Sequence, residues 1–74
     1  MSKLPGEISR RAFLRAMERL GWSVLRVSGS HFQLGHRAVL GVITVAMHGT
    51  ISRVAVKKTL KAAGIDEREF LKAL

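Results

Sequence analysis

The sequence contains no cysteine and no tyrosine, a single proline, and only five acidic residues against thirteen lysines and arginines. The absence of cysteine excludes a disulfide framework, thiolate catalysis and zinc–thiolate sites, and it is typical of a reducing compartment. The longest apolar stretch, residues 38–47, is interrupted by Gly41 and Thr44 and is too short to span a bilayer. The first residues also lack the apolar core of a signal peptide. We therefore expect a cytoplasmic protein that does not insert into a membrane.

Length and charge narrow the function classes further. We expect residues 1–74 to form one domain, with residues 1–7 as a flexible leader. The net charge is +8, and eleven basic residues but only two acidic residues precede Asp66. A basic body of this kind favours nucleic acid as the partner. The alternatives are an acidic protein face, an anionic membrane surface, or a charge that only prevents self-association.

Apolar periodicity predicts an α+β domain. Ser9 is predicted to cap a helix that runs to about Leu20, and Ser52 a second helix that ends near Ala63. Asp66 begins a short C-terminal helix through Leu74. Alternating or β-branched segments predict three strands, at residues 22–28, 31–35 and 42–46. A tight turn joins the first two strands, a connector at residues 36–40 joins the second and third, and a loop at residues 47–51 follows the third. This order predicts a three-stranded antiparallel sheet with the helices on one face.

The segment Gly29-Ser30-His31-Phe32 lies where the predicted turn enters the second strand. Because side chains alternate along a strand, Phe32 and Leu34 should point to the core and His31 to the open face. Histidine can exchange protons near neutral pH, so His31 is a candidate for acid–base catalysis. The alternative for His31 is a solvent-exposed strand residue, and the alternative for Gly29 and Ser30 is a hairpin turn that binds no ligand.

Several segments together resemble the HicA family of mRNA interferase toxins. The most specific is Gly21-Trp22 followed at short distance by Gly29-Ser30-His31, and the resemblance covers Ile8 to Leu74. The supporting segments are Leu20-Gly21-Trp22, residues 26–32, residues 42–45 and residues 57–65. The resemblance implies a fold like that of double-stranded-RNA-binding domains and an mRNA endoribonuclease toxin. It also implies His31 as the functional histidine and a HicB-type antitoxin as the neutralising partner.

The chain departs from the family pattern at two places. Ala46 stands where family members usually have proline after the third strand, and Val54-Ala55 stands where they often have Gly-Thr. The loop before the second helix is also short. These differences concern loop geometry and substrate positioning more than His31, and whether they reduce activity is left open.

Cleavage of RNA without a metal requires an activated 2′-hydroxyl, a held phosphate and a protonated leaving oxygen. We predict His31 as the general base, with the backbone N–H groups of Gly29 and Ser30 and the Ser30 hydroxyl on a phosphate oxygen. His48 is the candidate general acid, with His36 or water as alternatives. No metal and no other cofactor are expected.

Basic residues on the second helix are the predicted RNA contacts. Lys57, Lys58 and Lys61 are the first choice for phosphate contacts, followed by Arg26 and Arg53. The stripe of Arg11, Arg15 and Arg19 is either an RNA contact or a solvated helix face. Trp22 is predicted to be buried under the first helix rather than stacked on a base.

Two matters stay open at the level of the sequence. Residues 38–40 are unusually apolar for a connector and are either core or an exposed edge that pairs with the antitoxin or with a second copy, so a homo-oligomer is left open. The alternatives to an enzyme are a non-catalytic RNA-binding module of the same fold and a protein-interaction module whose charge complements an acidic partner.

Overall fold

The computed structural model describes residues 3–74, and Met1 and Ser2 lie outside the described part. Residues 3–74 form five strands and three helices. In chain order these are β1 (Glu7–Ser9), α1 (Arg10–Arg19), β2 (Trp22–Ser28), β3 (His31–His36), β4 (Val39–Ala46), β5 (Thr50–Ser52), α2 (Arg53–Ala63) and α3 (Glu67–Ala73). Within residues 3–74, no helix is both long and apolar enough to cross a bilayer.

The first helix begins and ends where the sequence predicts. The Ser9 hydroxyl accepts a hydrogen bond from the N–H of Ala12 at 3.1 Å, which satisfies one of the free donors at the helix start. Phe13, Ala16 and Met17 are buried on one face. Trp22, directly after the helix stop, is 3% exposed, so its predicted burial is confirmed.

The antiparallel sheet β2–β3–β4 carries the centre of the fold. β2 has the predicted bounds, but β3 extends to His36 and β4 begins at Val39. The predicted connector at residues 36–40 is therefore wrong, because His36 pairs with Trp22 on one side and Val39 on the other. Gly41, expected to start the strand, lies inside it at a positive φ of 89°, where the register between β3 and β4 shifts.

A second, two-stranded sheet of β1 and β5 is absent from the sequence prediction. Ile8 pairs with Ile51, and both side chains are buried. The prediction of a leader over residues 1–7 differs from the structure from Leu4 onward, because Leu4 is 2% exposed and Glu7 pairs in β1. The predicted loop at residues 47–51 likewise ends in β5.

The second and third helices complete the core on the same side of the sheet as α1. Ser52 caps α2 through the N–H of Ala55 at 3.2 Å, and Asp66 caps α3 through the N–H of Arg68 at 2.9 Å. The Phe13 and Phe70 rings lie 5.8 Å apart between α1 and α3. The arrangement is an α+β fold of the type seen in double-stranded-RNA-binding domains, as predicted, and it leaves one sheet face without helices. Leu74, directly after α3, is 41% exposed.

Candidate active site on the open face of the sheet

His31 is the first residue of β3 and lies on the sheet face that carries no helices. Its strand neighbours Phe32 and Leu34 are 7% and 1% exposed, whereas His31 is exposed. The predicted alternation is therefore confirmed, and the imidazole lies on the open face. The catalytic role of His31 stays a prediction.

The cross-strand neighbours of His31 are small. His31 pairs with Ser28 on β2 and with Ala46 on β4, and directly paired side chains lie about 5 Å apart on the same face. Neither neighbour is long enough to cover the imidazole. Ala46, where the family usually has proline, is thus the residue directly beside the candidate catalytic histidine.

The turn before His31 has two residues. Gly29 has a positive φ of 61°, which glycine adopts without steric cost at the first position of such a hairpin loop. The carbonyl of Ser30 accepts a hydrogen bond from the N–H of Met47 at 2.8 Å. Met47 is 1% exposed, so this bond ties the turn to a buried residue. The phosphate-positioning role of Gly29 and Ser30 stays a prediction.

Arg10 and His48 lie at the same end of the sheet as the turn. The guanidinium of Arg10 donates to the carbonyl of His48 at 3.1 Å, and its backbone N–H donates to the carbonyl of Gly49 at 3.0 Å. The same guanidinium lies 5.6 Å from the centroid of the Phe32 ring. The His48 side chain is exposed, two residues beyond Ala46. Its role as general acid stays a prediction, because the contacts above involve its backbone alone.

Sequence reasoning did not single out Arg10. Its contacts join residues 38 positions apart, and they depend on the pairing of β1 with β5, which has no periodic signal in segments of three residues. The only available signal was its place at the first position of α1, directly after the Ser9 cap.

The predicted basic residues fall on two different layers of the molecule. Arg26 pairs with Gln33, which shares the face of His31, so Arg26 lies on the open face as well. Lys57, Lys58 and Lys61 are exposed on α2, whose Val56 and Leu60 pack into the core together with Phe32 and Leu34. The lysines therefore lie on the helix layer, on the other side of the sheet from His31.

Two arginines among the candidates hold the fold. The backbone N–H of Arg53 donates to the carbonyl of Gly6 at 2.9 Å, and its Nε donates to the carbonyl of Pro5 at 3.3 Å. The guanidinium of Arg19 donates to the carbonyl of Ala73 at 2.6 Å, at the end of α3. Arg11 and Arg15, the rest of the α1 stripe, are exposed.

Comparison with known proteins gives one match. A family model described as the HicA toxin of bacterial toxin–antitoxin systems matches residues 10–65 of the 74-residue chain. No curated protein matches the chain, and no solved structure does. The match covers the first helix, the three-stranded sheet, β5 and all of α2. The chain therefore belongs to the HicA family, the toxins of bacterial toxin–antitoxin systems, whose partners are antitoxins.

Proposed function

We propose that this toxin is a metal-independent endoribonuclease that cleaves mRNA with His31 as general base, and that a HicB-type antitoxin neutralises it. The observation that carries the proposal is that the imidazole of His31 is exposed on the open face and that its two cross-strand neighbours, Ser28 and Ala46, are small. A ribose can approach the ring there without displacing any bulky side chain of the paired residues. Family membership supports a toxin, and a net charge of +8 supports an RNA substrate.

The reaction needs one proton acceptor and one proton donor. His31 takes the proton of the 2′-hydroxyl, and the 2′-oxygen forms a bond to the adjacent phosphorus. The bond from phosphorus to the 5′-oxygen breaks, which leaves a 2′,3′-cyclic phosphate on one product. The 5′-oxygen takes a proton from His48 or from water and leaves as a hydroxyl. Only a neutral imidazole can accept the first proton.

Other groups of the protein bind the phosphates of the RNA during this reaction. The N–H groups of Gly29 and Ser30 and the Ser30 hydroxyl donate to a non-bridging oxygen of the scissile phosphate, where negative charge increases in the transition state. Arg26, on the same face, attracts the neighbouring phosphate. Lys57, Lys58 and Lys61 bind a different stretch of a long RNA, because α2 lies behind the sheet. Arg53 contributes charge beside them while it holds the N-terminal segment.

One observation favours a second candidate, a non-catalytic RNA-binding module. Among the hydrogen bonds of residues 3–74, none joins His31 to a second titratable side chain. A binding module needs no such partner, whereas many catalytic histidines are oriented by one. In this candidate His31 contacts only the RNA backbone.

The experiment that separates the two uses a defined mRNA in the presence of EDTA. We expect the wild-type protein to cleave it and the His31→Ala protein to bind it without cleavage. Thermal unfolding of both proteins checks that the substitution leaves the fold intact, which the exposure of His31 predicts. Cleavage by His31→Ala at the wild-type rate would contradict the assignment. Binding without cleavage by both proteins would support the RNA-binding module.

A further inference from the structure

A cavity of about 590 Å³ opens on the sheet at the end opposite the Gly29–Ser30 turn. The residues that shape it are Gly21, Ser23, Leu25, Gly35, His36 and Arg37. No aspartate or glutamate is among its lining residues. Its volume lies in the usual range of small-ligand sites. The function proposed above does not use it.

His36 is held in one position at the wall of this cavity. A Cβ on Gly21 would lie 2.4 Å from its Nε2, so only glycine leaves room for the ring. The ring centroid lies 5.2 Å from that of Trp22, and Nδ1 accepts a hydrogen bond from the N–H of Ala38 at 3.0 Å. Because Nδ1 is the acceptor, the neutral ring carries its proton on Nε2. Within residues 3–74, this Nε2 has no hydrogen-bond partner.

The rest of the cavity combines an apolar wall with polar donors. Leu25 lies over Gly35, since a Cβ on Gly35 would be 2.6 Å from its Cδ1, and Leu25 remains 60% exposed. The register shift between Val24 and Arg26 places this extra residue there. Ser23 and Arg37 are exposed and bring a hydroxyl and a guanidinium. Donors without any carboxylate suit an anion, and an arginine fork suits a phosphate group.

The part of the cavity formed by Ser23 and Gly35 shares one face of the sheet with His31, whereas His36, which pairs with the buried Trp22, bounds the cavity from the other side. Gly35 is four residues beyond His31 on β3, so both point to the same side, about 13 Å apart at the usual strand rise. Arg26, which pairs with Gln33, lies between them. The face therefore carries a row of His31, Arg26 and Arg37, along which a few nucleotides of a single strand can extend.

We propose that this cavity is a second RNA subsite, which binds a phosphodiester of the strand that is cleaved at His31. The inference rests on the proposed function. Arg37 pairs with the phosphate, the hydroxyl of Ser23 donates to one of its oxygens, and Leu25 contacts the adjoining sugar or base. The subsite fixes the direction of the strand and adds affinity for substrates that extend beyond the cleaved bond.

The test compares Arg37→Gln with Arg68→Gln, which removes the same charge from an exposed position on α3, outside the proposed sites. Binding of a fluorescein-labelled eight-nucleotide RNA is measured by anisotropy over a salt series, with all proteins in a His31→Ala background. We expect Arg37→Gln to weaken binding roughly three- to tenfold and to reduce the salt slope by about 0.7, the value for one phosphate contact on a single strand. The Arg68→Gln protein should bind as its parent does.

Kinetics with His31 intact separate a subsite from a general charge effect. A dinucleotide carries only the scissile phosphate, so Arg37→Gln should lower kcat/KM for the eight-nucleotide substrate and leave that for the dinucleotide unchanged. Equal effects of Arg37→Gln and Arg68→Gln, or an equal loss on both substrates, would overturn the subsite while the proposed function stands. A wild-type protein that neither binds nor cleaves RNA would overturn both.

Discussion

Replacement of Leu4 by alanine tests whether the N-terminal segment belongs to the core. Leu4 is 2% exposed, and a buried Leu→Ala change costs roughly 2–5 kcal/mol. A domain of 74 residues has a free energy of unfolding on the order of 4–11 kcal/mol, so the loss is a large share of the total. Each kcal/mol lowers the Tm of a domain of this size by about 4–8 °C. We therefore expect the Tm to fall by roughly 10–40 °C.

Leu40→Ala is the matched control, because it makes the same chemical change at a fully exposed leucine. Its effect should stay within about 0.5 kcal/mol. Urea denaturation followed by circular dichroism gives the free energy of unfolding of both proteins, and equal m values show that they unfold from the same compact state. If Leu4→Ala and Leu40→Ala share one midpoint, the segment does not pack as described, and the result supports the flexible leader predicted from the sequence.

Two further substitutions test the site and its surroundings. Ala46→Phe places a bulky ring beside His31 on an exposed strand position, so we expect RNA cleavage to fall by roughly 100-fold with little change in Tm, whereas Ala46→Ser retains activity. Full activity of Ala46→Phe would mean that the substrate does not approach over this side of the ring. Gly21→Ala combines a positive φ of 95° with a clash against His36, so we expect a loss of about 1–3 kcal/mol in urea denaturation. Gly29 has a positive φ but open space around it, so Gly29→Ala should lower the free energy of unfolding by less. An equal loss of free energy in the two variants would refute the role of the His36 contact.

Local signals explain the parts of the fold that the sequence predicts well. Ser9, Ser52 and Asp66 each precede an apolar helical pattern, and each forms the expected cap with a nearby backbone N–H. Gly64 ends α2 in the left-handed conformation, with a φ of 71°. Such contacts join residues within a few positions of one another, so the sequence carries both partners in one window.

The errors arise where the deciding partner is far along the chain. β1 and β5 have three residues each, too few for a period of two to be recognised, and they form because Ile8 and Ile51 bury each other. Leu4, which precedes β1 in the chain, is buried in the same core. The predicted start of β4 is wrong for a related reason. Glycine at position 41 indicates a strand boundary in the sequence, whereas in the structure Val39 pairs with His36, so β4 begins before Gly41 and continues past it.

The candidate site also combines features that local sequence signals predict with features that depend on residues far apart in the chain. Alternation along β3 placed His31 on the open face, because it needs only the knowledge that Phe32 and Leu34 are core residues. The separation of Lys57 from His31 is contained in the sequence predictions as well, since they place the helices on one face of the sheet and His31 on the other. The cavity beside His36 was missed because it requires Gly21, Gly35 and a register shift to act together.

The open face explains why small side chains flank the candidate catalytic residue. In a sheet with helices on one side, the uncovered face is stabilised little by bulky side chains, so Ser28 and Ala46 cost the fold little there. They matter for access, because the imidazole of His31 can be reached from both neighbouring strands. The position of the α2 lysines is set by the core instead. Because Val56 and Leu60 face the core, the charged side chains of α2 are exposed to solvent on the opposite side of that helix. Under the proposed function, cleavage and general RNA attraction belong to different layers of a domain only 17 Å across its shortest axis, and an RNA that uses both must pass around an edge of the sheet.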